Sequence, residues 1–287
     1  GSFSVVGAAS KYDFNAPYLD RYQFLPSSLA DFMASPASAI PVYNIADVTT
    51  NDVQGVADSL GVYCELRGTA FTIDFDGNSG YSFFMYDATG GINVYHTADV
   101  NNYTMPHVGD SIRAFGTIAQ YKGLTELDVD SIILVGTGKT LKTPMLVADV
   151  DESTESEFIE LNGWSVITPS QWPASGSSKN VDISNGVDTI VMRIDSDTDI
   201  DGTPVPTTSF DVFGAGGQFA SGSTPPFLDG YQFQPGSIAD FTFAAPTTPT
   251  VNFMVSSQTE KEDVGTVTVE LNINPVSATN DTIFLQA

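Results

Sequence analysis

A long internal repeat constrains this 287-residue chain more than any other feature of its sequence. The segment at positions 3–32 recurs at positions 210–241 with a single two-residue insertion. Both copies share Pro-x-Leu-Asp-x-Tyr-Gln-Phe followed by Pro-x-Ser-x-Ala-Asp-Phe. A fainter copy relates residues 65–68 to residues 160–163. Matches of this length indicate repeated modules of one fold.

The repeats divide the chain into four parts. Residues 40–137 and 145–243 are two full modules, and residues 1–32 correspond to the last third of a preceding module. The tail at 249–287 has no counterpart in the other parts. Half a domain cannot bury enough apolar surface to order itself. We therefore expect other parts of a longer polypeptide, or neighbouring copies, to cover both ends.

Strand patterns occur throughout the chain. Runs rich in Val, Ile, Thr, Phe and Tyr are bounded by Gly, Asp, Asn and Pro, which is typical of short strands joined by tight turns. The sequence predicts short helices at 50–60 and 27–32. It predicts strands at 62–66, 81–86, 91–95, 111–119, 158–166, 189–194 and 266–273.

The order of these strands predicts a small OB-like barrel in each full module. Four glycines fall where a strand must coil sharply to close such a barrel, and a residue without Cβ suits that position. They are Gly68, Gly116, Gly163 and Gly214. The predicted fold class is all-β, with tandem OB-like small β-barrels plus a partial β-sandwich.

Charge and composition limit the function classes. The chain has 35 acidic and 10 basic side chains, a net charge of −25, which disfavours nucleic acid and anionic membranes. No apolar run approaches the roughly 20 residues that span a bilayer. The single cysteine, Cys64, excludes a disulfide framework. Two histidines leave little room for a zinc site or a Ser–His–Asp triad. The sequence therefore predicts that the protein is not an enzyme.

The strand pair at 81–86 and 91–95 carries the aromatic residues best suited to a ligand. OB barrels bind oligonucleotides or oligosaccharides on the face of strands 2 and 3. Alternation directs about half of these side chains outward, where rings stack on bases or sugars. The equivalent hairpin at 180–194 has no aromatic residue, which favours simple packing. The side chains concerned are Tyr81, Phe83, Phe84, Met85, Tyr86 and Tyr95.

The densest acidic cluster comprises Asp195, Asp197, Asp199 and Asp201. Asp-x-Asp-x-Asp-Gly matches the first half of an EF-hand loop, but the last ligand position falls on Thr208, where a bidentate Glu is required. A complete EF-hand is therefore not expected. Calcium held with an added carboxylate from outside, and a solvated loop of Asp turns, remain as alternatives.

The chain resembles a known family at three motifs. Residues 109–118, 122–127 and 231–235 are similar to the tandem OB-like β-barrel modules of large secreted Bacteroidetes-type surface proteins. The tail from Pro249 resembles the opening strands of a Calx-β-like domain. This second resemblance implies calcium ligands at Glu262 and Asp263.

These observations together predict a structural or adhesive array of modules, extracellular or at the bacterial cell surface. It would form a surface fibre or filament, or a segment of a larger secreted protein. The alternative is an accessory glycan- or nucleic-acid-binding segment of a secreted multidomain hydrolase or nuclease. Calcium is the one cofactor left open. The expected partners are neighbouring copies or other domains of a longer chain, with a glycan as an open alternative and no membrane span.

Overall fold

A computed structural model describes residues 3–11, 16, 22–34, 39–77, 79–101, 103, 106–245, 250–253 and 271–274. This part of the chain is all-β, as predicted, and its helices are single 3₁₀ turns. These turns lie at Leu29–Asp31, Ile45–Asp47, Glu152–Thr154, Pro169–Gln171 and Ile238–Asp240. The strands are β1 (Phe3–Val5), β2 (Ala8–Lys11), β3 (Tyr22–Leu25), β4 (Phe32–Ala34), β5 (Tyr63–Ala70), β6 (Tyr81–Tyr86), β7 (Gly91–His96), β8 (Ser111–Tyr121), β9 (Leu124–Gly136), β10 (Met145–Leu146), β11 (Phe158–Val166), β12 (Lys179–Ser184), β13 (Thr189–Ile194), β14 (Phe210–Gln218), β15 (Tyr231–Gln234), β16 (Phe241–Phe243), β17 (Thr250–Phe253) and β18 (Leu271–Asn274).

The chain divides into two compact units, residues 1–42 and residues 43–287. In the N-terminal unit, β1 pairs with β4 and β2 pairs with β3, both antiparallel. The residues of β1 and β4 pair in the same register as those of β14 and β16, and the residues of β2 and β3 pair in the same register as those of β14 and β15. Val5 lies opposite Phe32 as Val212 lies opposite Phe241. The repeat found in the sequence is therefore a repeat of strand pairing.

The first barrel is formed by β5 to β9, closed in the order β5-β6-β7-β9-β8. β7 and β9 run parallel, and the other pairs are antiparallel. A five-stranded barrel in this order has the OB topology. The interior holds buried side chains from all five strands: Cys64, Leu66, Ala70, Tyr81, Phe83, Met85, Ile92, Val94, Ile112, Ala114, Ile118, Leu127, Val129 and Ile132.

The second barrel repeats this topology. β11, β12, β13, β15 and β14 pair in sequence, and the β11–β14 pairing completes the ring. The long strand β9 of the first barrel corresponds to β15 and β16 here, which are separated by the 3₁₀ turn at Ile238–Asp240. Trp164, the largest side chain of the interior, is buried. The same core contains Ile159, Leu161, Val181, Ile183, Met192, Ile194, Phe210, Val212 and Phe233.

Two of the predicted coiling glycines show why a side chain is excluded. A Cβ on Gly116 would overlap the carbonyl oxygen of Asp128, at the point where β8 shifts register against β9. Gly163 has φ +75°, where β11 shifts register against β14. Sharp coiling at these points is a property that glycine provides.

The predicted helix at 50–60 is wrong. This segment consists of turns with an isolated bridge between Asn51 and Ala57. The Asp52 carboxylate accepts the N–H groups of Gln54 and Val56, at 2.8 and 3.0 Å. Such local side-chain bonds offer the backbone an alternative to a helix. The predicted helix at 27–32 is a single 3₁₀ turn at Leu29–Asp31.

The tail contributes one described pair of strands. β17 and β18 pair antiparallel, with Thr250 opposite Asn274. The predicted start of a Calx-β-like sandwich otherwise falls outside the described residues. Among the described residues, no helix has the length and apolar character needed to cross a membrane.

Candidate functional site

The predicted ligand face of the first barrel follows the expected alternation. Tyr81, Phe83 and Met85 point into the barrel interior. Phe84 and Tyr86 point outward, yet they are also buried, at 1% and 6% exposure. The outward side chains of β6 therefore do not form an open surface for bases or sugars.

The second barrel covers part of this face. Phe158, at the start of β11, lies 5.0 Å from Phe71 and 6.2 Å from Tyr86 between ring centroids. Its ring also meets Phe213 edge-on at 5.7 Å. We call the resulting contact between the barrels the junction. Its buried apolar members are Phe71, Phe84, Tyr86 and Leu124 from the first barrel, and Phe158 and Ala215 from the second.

Direct hydrogen bonds join the two barrels at the edge of the junction. The Phe227 N–H donates to the Gln54 carbonyl at 2.8 Å. At the β8–β9 turn, the Ala220 N–H donates to the Lys122 carbonyl at 2.7 Å. The Lys122 ammonium donates to the Gly222 carbonyl at 2.9 Å. Two of these bonds join backbone to backbone, so they fix the position of one barrel against the other.

The junction also requires close backbone approach. Gly91 begins β7, and a Cβ there would overlap the carbonyl oxygen of Ser156. The Gly91 N–H donates to the Glu157 carboxylate at 3.1 Å. Ser156 itself has φ +59°, an uncommon value for a residue other than glycine. The segment before β11 is thus shaped to fit against the β6–β7 hairpin.

Two glutamates lie beside the junction, the buried Glu126 and the partly buried Glu155. Glu155 accepts the Thr125 N–H through Oε1 at 2.9 Å, and its buried Oε2 has no partner in the described part of the chain. Burial raises the pKa of Glu155 to about 8. Burial, and then the charge of Asp128, raises the pKa of Glu126 to about 7. Sequence reasoning missed both residues, because their burial depends on contacts between modules.

Part of the OB face remains open next to the junction. Tyr95 and Tyr121, with Glu126 and Asp128, line a groove of about 440 Å³ that we call the tyrosine groove. The two tyrosines are 36% and 59% exposed. Ala119 and Gln120 complete the lining. Of the six aromatic and methionine side chains considered from sequence, Tyr95 is the one that remains available.

The structure does not bring the predicted calcium ligands to one point. Asp199 accepts the Ile238 N–H at 2.7 Å, which ties this loop to the 3₁₀ turn before β16. Asp201 accepts the N–H of Gly176. Both carboxylates thus serve separate backbone contacts of the second barrel. Among the described residues, no group of three or more His, Cys, Asp or Glu is arranged to hold a metal ion.

Asp195 and Asp197 lie on the other side of the same loop. Asp195 is 3.4 Å from the Arg193 guanidinium. Asp197 lies against Gly77 of the first barrel. Burial raises its pKa, and the charges of Asp195 and then Asp76 add to the shift. Two acidic loops therefore meet across the barrels. Glu262 and Asp263 lie outside the described residues, so calcium stays a prediction.

The remaining sequence candidates have structural partners. Cys64 is buried, and burial raises the pKa of its thiol to about 11. His96 Nδ1 lies 2.9 Å from the Asp128 carboxylate. The indole N–H of Trp172 donates to the Thr203 carbonyl at 3.0 Å. None of these contacts places a nucleophile beside a base.

Comparison with protein-family models and with curated proteins finds no match to the chain.

Proposed function

We propose that this chain is a non-catalytic part of an extracellular structural or adhesive array, in which neighbouring barrels are joined into stiff pairs. One observation carries the proposal: on the face where an OB barrel would hold a ligand, Phe158 of the second barrel stacks on Tyr86 and joins the buried cluster that contains Phe84. A surface that is occupied by contact between modules is not open to a ligand, which favours a structural role. The net charge of −25 supports an extracellular setting, because it keeps repeated modules soluble.

The N-terminal unit supports the same proposal through its exposed apolar residues. Phe24 is 47% exposed, whereas its counterpart Phe233 is fully buried. Phe32 is 41% exposed, against 7% for Phe241. In the second barrel, β11 to β13 provide the rest of the wall around these positions. We expect equivalent strands of another module or of a neighbouring copy to cover the N-terminal unit.

Unfolding cooperativity tests the stiff pair. We expect the two barrels to unfold in one calorimetric transition, because the junction couples them. The change Phe158→Ala removes the central ring and should cost about 3–5 kcal/mol, the usual range for a buried Phe→Ala change. We expect it to separate the transition into two. Val187→Ala, at a site 89% exposed, is the control and should change little. Two independent transitions in the unaltered protein would contradict the proposal.

A glycan-binding role is the second candidate, and the tyrosine groove favours it. Exposed tyrosine rings beside carboxylates suit the apolar faces and hydroxyl groups of a sugar. Changing Tyr95 and Tyr121 to Ala should abolish binding of any neutral oligosaccharide found by array screening. A labelled single-stranded DNA should not bind at micromolar protein, even at low salt, because the net charge is −25. Tight, salt-sensitive DNA binding would overturn that expectation.

A further inference from the structure

Half of the described cations gather in one place on this acidic protein. Four of the ten Lys and Arg residues line a single groove of about 630 Å³ on the first barrel. That volume is within the range of small-ligand sites, about 300–1,000 Å³. We call it the basic groove; its cations are Arg67, Arg113, Lys139 and Lys142. It lies away from the tyrosine groove and shares no residue with it.

The two arginines occupy an electrostatically unfavourable arrangement. Arg67 on β5 lies directly opposite Arg113 on β8. Like charges in this position destabilise a sheet. The buried Glu65 carboxylate offsets the repulsion, accepting the Nε–H groups of Arg67 at 2.6 Å and of Arg113 at 2.7 Å. It also accepts from Nη2 of Arg113 at 2.9 Å. One carboxylate thus orients both guanidinium groups.

Donors remain for a ligand. Both terminal nitrogens of Arg67 and Nη1 of Arg113 have no partner within the described part of the chain. Their side chains are 58% and 38% exposed. A guanidinium group presents its donors in a fork that matches a carboxylate or sulfate group. The arrangement is therefore ready to accept an oxyanion without moving Glu65.

The two lysines are fixed by the segment that follows β9. The Lys139 N–H donates to the Gly109 carbonyl at 2.9 Å. The Lys142 N–H donates to the Tyr86 hydroxyl at 2.7 Å, and its ammonium lies 4.5 Å from the centre of that ring. The acidic groups nearby are already engaged. Glu157 lies 3.5 Å from the Lys142 ammonium. Asp87 accepts three backbone N–H groups, at Ile45, Thr89 and Gly90.

The second barrel shows that the fold does not require these cations. By the repeat, Asn162 stands where the first barrel has Arg67, and Asp211 stands where it has Arg113. Glu160 takes the place of Glu65. The same strand pair therefore forms with no arginine at all. The cluster is a property of the first barrel alone, which points to binding rather than to stability.

We propose that the basic groove binds the carboxylate or sulfate groups of an acidic oligosaccharide. Hydroxyl groups of Ser111 and Thr140 line the groove among the cations and suit a sugar. The one aromatic ring in the lining, Tyr86, is buried, so stacking of nucleic acid bases is disfavoured. The first barrel is closed, so the groove offers no free strand edge to an extended peptide.

The test uses the full chain and calorimetric titration at low salt. The probes are a sulfated heparin oligosaccharide, an oligogalacturonate, neutral dextran, single-stranded DNA and a polyglutamate peptide. We expect at least one of the two acidic oligosaccharides to bind, more weakly as salt is added, and dextran not to bind. Binding of the sulfated or of the carboxylated probe identifies which oxyanion the groove prefers.

A variant of the groove is compared with a control of equal charge. The groove variant combines Arg67→Asn, Lys139→Gln and Lys142→Gln, and it keeps Arg113 as the partner of Glu65. We expect it to lose at least tenfold in affinity while still unfolding in one cooperative transition.

The control variant removes three cations outside the groove through Lys11→Gln, Lys179→Gln and Arg193→Gln. We expect less than a twofold change, because net charge alone does not define the site. Three results would overturn the proposal: no binding of either acidic oligosaccharide, equal losses in both variants, or tighter binding of DNA or polyglutamate.

Discussion

Glu155, whose Oε2 is buried without a partner among the described residues, makes the junction sensitive to pH in a way that one substitution should remove. Its pKa is raised by burial from 4.5 to about 8. A raised pKa means that the stabilising contribution is fully present below pH 4.5 and is lost as pH rises through about 8. At high pH, folding must bury an uncompensated carboxylate. The free energy of unfolding therefore falls as pH rises, whereas a carboxylate held in an ion pair makes it fall as pH is lowered.

The shift sets the size of the effect. A displacement from 4.5 to about 8 corresponds to roughly 5 kcal/mol at the alkaline limit, and to about 4 kcal/mol between pH 5 and pH 9. Glu155→Gln keeps an oxygen that accepts the Thr125 N–H and cannot ionise. We expect the variant to unfold at similar urea concentrations to the parent at pH 5. At pH 9 it should be the more stable protein by several kcal/mol.

Urea unfolding at pH 5, 7 and 9 measures this difference directly. Other titrating groups, including Glu126, are present in both proteins, so they largely cancel in the comparison. Asp58→Asn, at an exposed carboxylate, is the control and should show no pH-dependent gain. If the stability difference between parent and Glu155→Gln is the same at pH 5 and pH 9, the carboxylate is not buried against the first barrel as described.

Three further predictions concern other parts of the molecule. Gly91→Ala forces a Cβ against the Ser156 carbonyl and should cost about 1–3 kcal/mol, seen as a lower melting temperature; an unchanged value would place the hairpin elsewhere. The Cys64 thiol is buried with its pKa raised to about 11, so a thiol reagent at pH 8 should label it only in urea, and rapid native labelling would contradict this. Backbone amides around Phe24 should exchange hydrogen much faster than those around Phe233 in the isolated chain, and equal protection would mean that the N-terminal unit is already covered.

Sequence patterns predicted the strands well because the residues within and beside each strand determine where it begins and ends. The limits of β6, β11 and β13 were predicted to the residue, and the repeat predicted the pairing of β1 to β4. The helix at 50–60 failed because the Asp52 side chain caps local turns that hydrophobic spacing does not reveal. Alternation along β6 was also correct. The open ligand surface inferred from that alternation was not correct. Phe158 stacks on the outward ring of Tyr86, and Phe71 packs against that of Phe84. Contacts between modules leave no periodic signal in either module.

The two barrels serve as a comparison within one chain, because they share a topology and differ in selected side chains. Positions they hold in common explain the fold: Gly116 and Gly214 both lie where a Cβ would overlap a carbonyl oxygen of the neighbouring strand. Positions where the two barrels have different side chains are not required by the shared fold. Arg67 lies opposite Arg113, and the repulsion between them destabilises the first barrel, whereas the second barrel has no such pair. Because the fold forms without this pair, structural need does not explain why the first barrel keeps it. The junction therefore accounts for how the modules are joined, and the basic groove for what the first barrel offers to a ligand. The exposed guanidinium groups of Arg67 and Arg113 take no part in the buried cluster of the junction, so the structural role and the proposed binding role are compatible in one molecule.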